Sequence, residues 1–195
     1  MDPVNIIVGI ILIVSMAANF SAAKSAVKQT VIKFEVKPKT WLQKFPPNVA
    51  AIVLILEVLG IFGIGTVEVV SIEEYLWLRI IGLIMFGFFS WIQVKATRGL
   101  GKNYAQEIGI IKNHQLVTTG LYKSIRHPQY ISQVLSDLGA GLALLGYIII
   151  PLVFFIELPL FILRALREES LLKNHFKESY KDYKKKSGFI IPFIG

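Results

Sequence analysis

Apolar residues along this 195-residue chain are gathered into long runs separated by short polar stretches. A membrane-spanning helix needs about 20 consecutive, mostly apolar residues. Three runs approach that length: Val4 to Phe20, Val49 to Val67 broken only by Glu57, and Tyr75 to Val94 with Arg79 near its start. A fourth run, Tyr130 to Leu163, is too long for one helix and slightly short for two, and Gly146 and Pro151 interrupt its middle. Such punctuation predicts a tight helical hairpin with arms of about 16 residues, near the lower limit for spanning. The pattern therefore predicts an all-α, multi-pass membrane helix bundle of about five transmembrane helices. A re-entrant hairpin over 130–163 would leave the same ends on the same side.

Charge orients the bundle. Of the 21 Lys and Arg residues, all but Arg79 fall in the first inter-span loop, in the loop 95–129, or after Leu163. The loop between the second and third spans carries Glu68, Glu73 and Glu74 instead. The positive-inside rule then predicts an external N-terminus, with the C-terminus and both larger polar stretches in the cytoplasm. Two parts follow: residues 1–94, three N-terminal spans with their loops, and residues 95–195, a cofactor loop, the hairpin 130–163 and a C-terminal helix. In that last segment Leu172, Phe176, Tyr180 and Tyr183 share one helical face, which predicts an amphipathic helix against the bundle or the lipid heads.

Composition sharpens this picture. The chain is 54% hydrophobic with net charge +8. In a membrane protein such a balance is met by anionic lipid, so membrane lipids and no nucleic acid are the expected partners. With no cysteine there is no disulfide, thiolate ligand or cysteine nucleophile. His114, His127 and His175 lack metal-ligand spacing, so no metal is expected. Asp2 precedes the first run where a signal peptide would carry basic residues, which reads as a retained span.

Three constellations could carry chemistry. Arg126-His127-Pro128-Gln129-Tyr130 stands before the hairpin, where Pro128 suits the first turn of a helix and the helix dipole favours anions. Its bland reading is Arg126 as a positive-inside anchor and Tyr130 as an interfacial aromatic. Arg164 and Glu168 are spaced i, i+4 at the end of a span, with Glu169 beside them. They form an intrahelical pair or line a cavity at the membrane edge. His114-Gln115-Leu116-Val117, followed by Gly120-Leu121-Tyr122, predicts a short extended segment with backbone groups free for a planar ring. Glu57, Asp137 and Glu157 lie within spans and read as interhelical hydrogen-bond partners.

Taken in order, His114-Gln115-Leu116-Val117, Gly120-Leu121-Tyr122, Arg126-His127-Pro128-Gln129-Tyr130, Arg164, Glu168-Glu169, Phe176, Tyr180 and Tyr183 resemble the isoprenylcysteine carboxyl methyltransferase family. The resemblance covers about Tyr104 to Phe193, and the first three spans match only in being apolar. Arg-His-Pro-x-Tyr alone is shared with phospholipid methyltransferases and sterol reductases; the ordered set is more specific.

The resemblance implies S-adenosylmethionine as methyl donor. It implies that His114, Gln115, Leu116 and Val117 hold the adenine, that Tyr122 encloses the cofactor, and that His127, Pro128, Gln129 and Tyr130 meet its ribose and methionine portion. Glu168 would bind its amino group, and Arg164 would pair with the substrate carboxylate; these two are the expected catalytic residues. Glu107 stands where the family often has Gln, and Lys177 where it often has Gly. The expected reaction is methyl esterification of an isoprenylated cysteine or similar prenylated thiol with a lipid tail. A lipid N-methyltransferase, or a sterol-type reductase, is the alternative.

Overall fold

A computed structural model describes residues 2–28, 33–68 and 72–195. Part of the acidic loop expected between the second and third spans, residues 69–71, lies outside the described residues. Among the described residues seven helices run in chain order: α1 Pro3–Lys28, α2 Phe45–Ile61, α3 Ile72–Leu100, α4 Pro128–Leu144, α5 Ile149–Leu152, α6 Leu158–Phe176 and α7 Glu178–Lys186. A π-helical turn, Val153–Glu157, joins α5 to α6 into one rod. Pro151 and Pro159 bracket that turn and have no N–H to give, so the regular i→i−4 ladder is interrupted there in any case. The chain is not wholly helical: strands β1 Phe34–Val36 and β2 Ile110–Ile111 pair antiparallel, Phe34 opposite Ile111.

Among the described residues, four helices are long and apolar enough to cross a membrane: Pro3–Ser25, Trp41–Ile61, Glu74–Asn103 and Ile149–Phe176. Their outer faces carry Ile13 at 70% exposure, Ile84 at 66% and Phe155 at 70%, surfaces that only lipid would cover. The expected hairpin is present, with unequal arms. Its first arm, α4, has 17 residues, about 25 Å at ~1.5 Å per residue. That is short for a span, but α4 is enclosed by its neighbours. The turn between the arms places Leu145 in the left-handed region at φ 53°, and Gly146 closes it by donating to Gly141 O at 2.8 Å.

The tightest packing is between α3 and α4. A Cβ added at Gly82 would collide with Ala143 N, and one at Gly139 would lie 2.5 Å from Phe86 N. Small residues let helix backbones approach this closely where no hydrophobic effect drives association. Arg79, the one basic residue off the positive side, is buried across the same seam. Its guanidinium reaches Asp2 at 2.7 and 3.0 Å, Asn5 at 2.7 Å and Ala143 O at 2.9 Å, tying α3 to α1 and α4. The carboxyl of Asp2 is held below the usual carboxylate range chiefly by the Arg79 hydrogen bond.

Two expectations are corrected. The tail is not one amphipathic helix: the chain breaks at Lys177, with φ 48° and ψ −116°, and restarts as α7. Tyr180 and Tyr183 are nevertheless buried, because the break folds α7 back against the rest of the molecule. The segment 114–118 lies outside the ladder, which ends at Ile111, and leads into a 3-10 turn at Gly120–Lys123. Glu57 is not the interhelical hydrogen-bond partner expected, its Oε1 having no partner among the described residues, whereas Glu157 and Asp137 face each other within hydrogen-bonding reach.

Candidate active site

A cleft opens where the N-terminus of α4, the loop after α3, and helices α6 and α7 converge, enclosing about 880 Å³ including its mouth. The sequence dictates much of this convergence locally. Pro128 starts α4 at a position that needs no N–H. The backbone before it is pinned to the C-terminal segment, Arg126 N donating to Gly188 O at 2.8 Å and His127 N to Phe189 O at 3.2 Å.

Arg126 is no surface anchor. It is 5% exposed, and its Nε meets Glu169 Oε1 at 2.5 Å. Its other nitrogens donate to Ser187 O and, at 3.1 Å, to Gly195 O. Lys184 Nζ adds a second contact to Glu169 at 3.1 Å. Glu169 thus belongs to a knot that docks α7 and the C-terminal segment onto α6. The adjacent Glu168, about 100° round the helix, turns into the cleft instead.

Glu168, Tyr130, Arg164 and His127 form one connected group. Tyr130 Oη accepts from Arg164 Nε at 2.9 Å and donates to Glu168 Oε1. Arg164 Nε lies 3.8 Å from Glu168 Oε1, and His127 Nδ1 3.9 Å from Glu168 Oε2. His127 and Tyr130 stack with rings 3° from parallel. Arg164 is already heavily engaged: Nη1 donates to Leu42 O at 3.0 Å and Gln43 O at 3.2 Å, and Nη2 to Gln106 O at 2.6 Å. Of its five N–H groups, one on Nη2 is left to offer. A side cavity lined by Arg164, Tyr130, Phe161 and Pro47 abuts the cleft, sharing Gln129 and Tyr130 with it.

The far wall is made by the loop. Asn103 Oδ1 accepts from Gln115 N at 2.8 Å, fixing the segment that carries His114 to Val117. His114 packs edge-on against Phe176 of α6. Burial, then the neighbouring His175, lower the His114 pKa, which keeps the ring neutral at pH 7. Tyr122 closes the floor, its hydroxyl 3.3 Å from Ala96 O and its carbonyl accepting from Tyr183 Oη at 2.6 Å. Burial pushes the Tyr183 phenol up to about 12 and raises Tyr104, Tyr122 and Tyr180 as well, so all four stay protonated donors.

Of the residues singled out for a cofactor, Glu107, His114, Gln115, Leu116, Val117, Tyr122, His127, Gln129, Tyr130 and Glu168 all border the cleft. Pro128 does not border it; it starts the helix. Glu107 faces the rim, where it pairs with Lys37 at 2.5 Å. Sequence reasoning missed Asn103, Ala105, Ile110 and Leu171. Asn103 follows a span and the glycines Gly99 and Gly101, and a polar amide at that junction was the one signal available. Two buried polar atoms on the lining, His114 Nδ1 and Tyr180 Oη, have no partner among the described residues, while His127 Nε2 faces Glu169 Oε1 at 3.6 Å. Buried polar groups are otherwise almost always paired, so the two unpaired atoms, with the Glu168 carboxylate, fit a polar ligand carrying hydrogen-bonding groups and an ammonium.

Residues 80–174 match the family model described as the isoprenylcysteine carboxyl methyltransferase (ICMT) family. A protein-S-isoprenylcysteine O-methyltransferase of Xenopus laevis is 33% identical over 141 residues, 68% of this chain and 47% of that protein. One from Tribolium castaneum is 31% identical over 135 residues, 68% of this chain and 48% of the relative. The chain spans about half the length of the curated relatives it matches. A solved structure of the eukaryotic intramembrane Ras methyltransferase ICMT superposes with TM-score 0.60 at 26% identity, covering 76% of this chain and 52% of that one.

Proposed function

The chain belongs to the isoprenylcysteine carboxyl methyltransferase family, and on that premise we propose that it transfers a methyl group from S-adenosylmethionine to the carboxylate of a prenylated thiol, at the cytoplasmic face of a membrane. The observation that carries this reading is the convergence of Glu168, Tyr130, Arg164 and His127 at the end of a membrane-spanning helix. Bound in the cleft, S-adenosylmethionine would supply an electrophilic methyl group on a cationic sulfonium.

The chain's own residues then have simple tasks. A carboxylate acceptor is ionised at neutral pH, so no general base is needed. Glu168 holds an ammonium, while His114 and Tyr180 offer their unpaired atoms to the rest of the cofactor. Arg164 presents its free N–H to the acceptor carboxylate from the side cavity. Tyr130, bonded to both Arg164 and Glu168, sets the distance between acceptor and cofactor pockets. Burial excludes water, which strengthens these charge contacts. The acceptor's hydrocarbon tail runs past Phe161 into lipid.

The orientation proposed with this reading puts Arg164, Glu168 and the cleft inside, because basic residues flank it on every loop. The test is methyl transfer from labelled S-adenosylmethionine to N-acetyl-S-farnesylcysteine in liposomes. The expected product is a base-labile methyl ester. No ester, together with no cofactor binding, overturns the reading. Transfer to a phospholipid amine in place of the carboxylate would move the chain to the N-methyltransferase alternative, which has no use for the N–H on Arg164.

A further inference from the structure

After α7 the chain folds back on itself as a small knob, residues 188–195. Phe189 N donates to Ile194 O at 2.8 Å and Ile194 N to Ile191 O at 3.2 Å. Gly188 is needed at its base, because an added Cβ would collide with Ile191 O. The knob is strapped to one corner of the cleft. Ser124 O accepts from Gly188 N at 2.9 Å and from Phe193 N at 3.2 Å, and Arg126 N and His127 N donate to Gly188 O and Phe189 O. The Phe189 ring stands edge-on to His127 with centroids 5.2 Å apart.

The other side of the knob is bare. Ile191, Phe193 and Ile194 are 52%, 71% and 64% exposed, in a segment outside the four candidate spans. Phe193 also holds φ 61°, a strained conformation for a bulky aromatic. The backbone is thus strained at the residue whose ring is turned farthest out of the protein. Such a ring calls for a covering surface beyond the chain.

Height and charge say which surface. The Ser90–Ser136 and Gln93–Gln133 pairs fix the register of α3 against α4. That register brings Pro128 level with the last turn of α3, where the span ends. The bridge between Ile125 and Gly188 sets the knob at this same border. Immediately before it, Lys173, Lys177, Lys181, Lys184, Lys185 and Lys186 stand against only Glu178 and Asp182. Exposed apolar side chains beside lysines make an interfacial anchor for acidic lipid.

We propose that this knob docks into an anionic lipid leaflet, with Ile191, Phe193 and Ile194 entering the acyl border and the α7 lysines meeting acidic headgroups, and that the contact steadies the Arg126–His127 corner of the cleft. The hydrogen bonds that strap the knob to Ser124, Arg126 and His127 carry the effect inward. A neutral leaflet would cover the apolar residues and leave the lysines unmet. The docking does not rest on the methyl-transfer reading. Ester formation without docking removes this proposal alone, and docking without ester formation removes the other alone.

The experiment uses the full chain in phosphatidylcholine nanodiscs, with or without about 30% phosphatidylglycerol. The first measurement is amide hydrogen exchange of wild type. Exchange at Ser124, Arg126 and His127 should be about threefold slower with the acidic lipid, and Phe193→Ser, which alters an exposed side chain, should abolish the difference. The second uses the absence of native cysteine: a nitroxide on Pro192→Cys should be relaxed by oxygen more than by a water-soluble nickel chelate when acidic lipid is present. Equal exchange in the two lipids overturns the proposal, as does a nitroxide open to the nickel chelate in both. Dipolar broadening between nitroxides, the sign of a second copy seated on the knob, overturns it too. Should the labelled variant fail to fold, the wild-type exchange comparison decides alone.

Discussion

Glu168 and Glu169 are neighbours in the chain, but the helix turns their side chains apart. Glu169 is enclosed by Arg126 and Lys184, and Glu168 meets only the Tyr130 hydroxyl, with Arg164 and His127 at longer range. Their substitutions should therefore separate two properties. Glu168→Gln removes one charge-assisted contact worth about 1.5–3 kcal/mol, so S-adenosylmethionine binding by calorimetry should weaken about 10- to 100-fold with the unfolding temperature little changed. Glu169→Ala strands Arg126 as a buried unpaired charge and should cost about 3 kcal/mol in stability, seen as a large drop in unfolding temperature. The adjacent acids were visible in the sequence. Which of them faces the cleft was not, since that depends on where α4 and α7 pack against α6.

Between elements, the two decisive joints are made by residues whose importance is steric. Lys177 occupies φ 48° and ψ −116° between α6 and α7, a conformation open to glycine and strained for a side chain. Lys177→Gly should raise stability by about 1 kcal/mol, measured by thermal unfolding, even though it removes a helix-flanking charge. At the α3–α4 seam the reverse holds. Gly139→Val puts side-chain atoms where even a lone Cβ would lie 2.5 Å from Phe86 N. It should destabilise by about 3 kcal/mol or more, and cofactor binding should fall with it because α4 carries His127 and Tyr130. Helix existence was legible from apolar runs. The break at Lys177 was not, because a lysine in a charged, helix-favouring segment gives no local stop signal.

For the whole molecule, the charge pattern and the packing explain each other. Arg79 is the lone basic residue outside the positive loops, and it is tolerated because Asp2, Asn5 and Ala143 O satisfy it. With no native cysteine, the proposed orientation is testable by single-cysteine labelling. Glu68→Cys should react with a membrane-impermeant maleimide in intact cells, and Lys39→Cys only after the membrane is opened. The opposite pattern would place the cleft outside.

The apolar runs by themselves determined that this is a helical membrane protein with a hairpin near its C-terminal half, because hydrocarbon admits only segments that satisfy their own backbone. The ordered polar motifs also determined most of the cleft's lining, since His114, Tyr122, His127, Tyr130 and Glu168 are set by local spacing at helix ends. Tertiary structure decided the rest. It assigned Arg126 and Glu169 to a structural knot, occupied four N–H groups of Arg164 with Tyr130 and backbone carbonyls, and brought Glu57 and Asp137, eighty residues apart, to one cavity. Those outcomes depend on which faces of separate helices meet, and periodicity along one segment carries no information about the partner it will find.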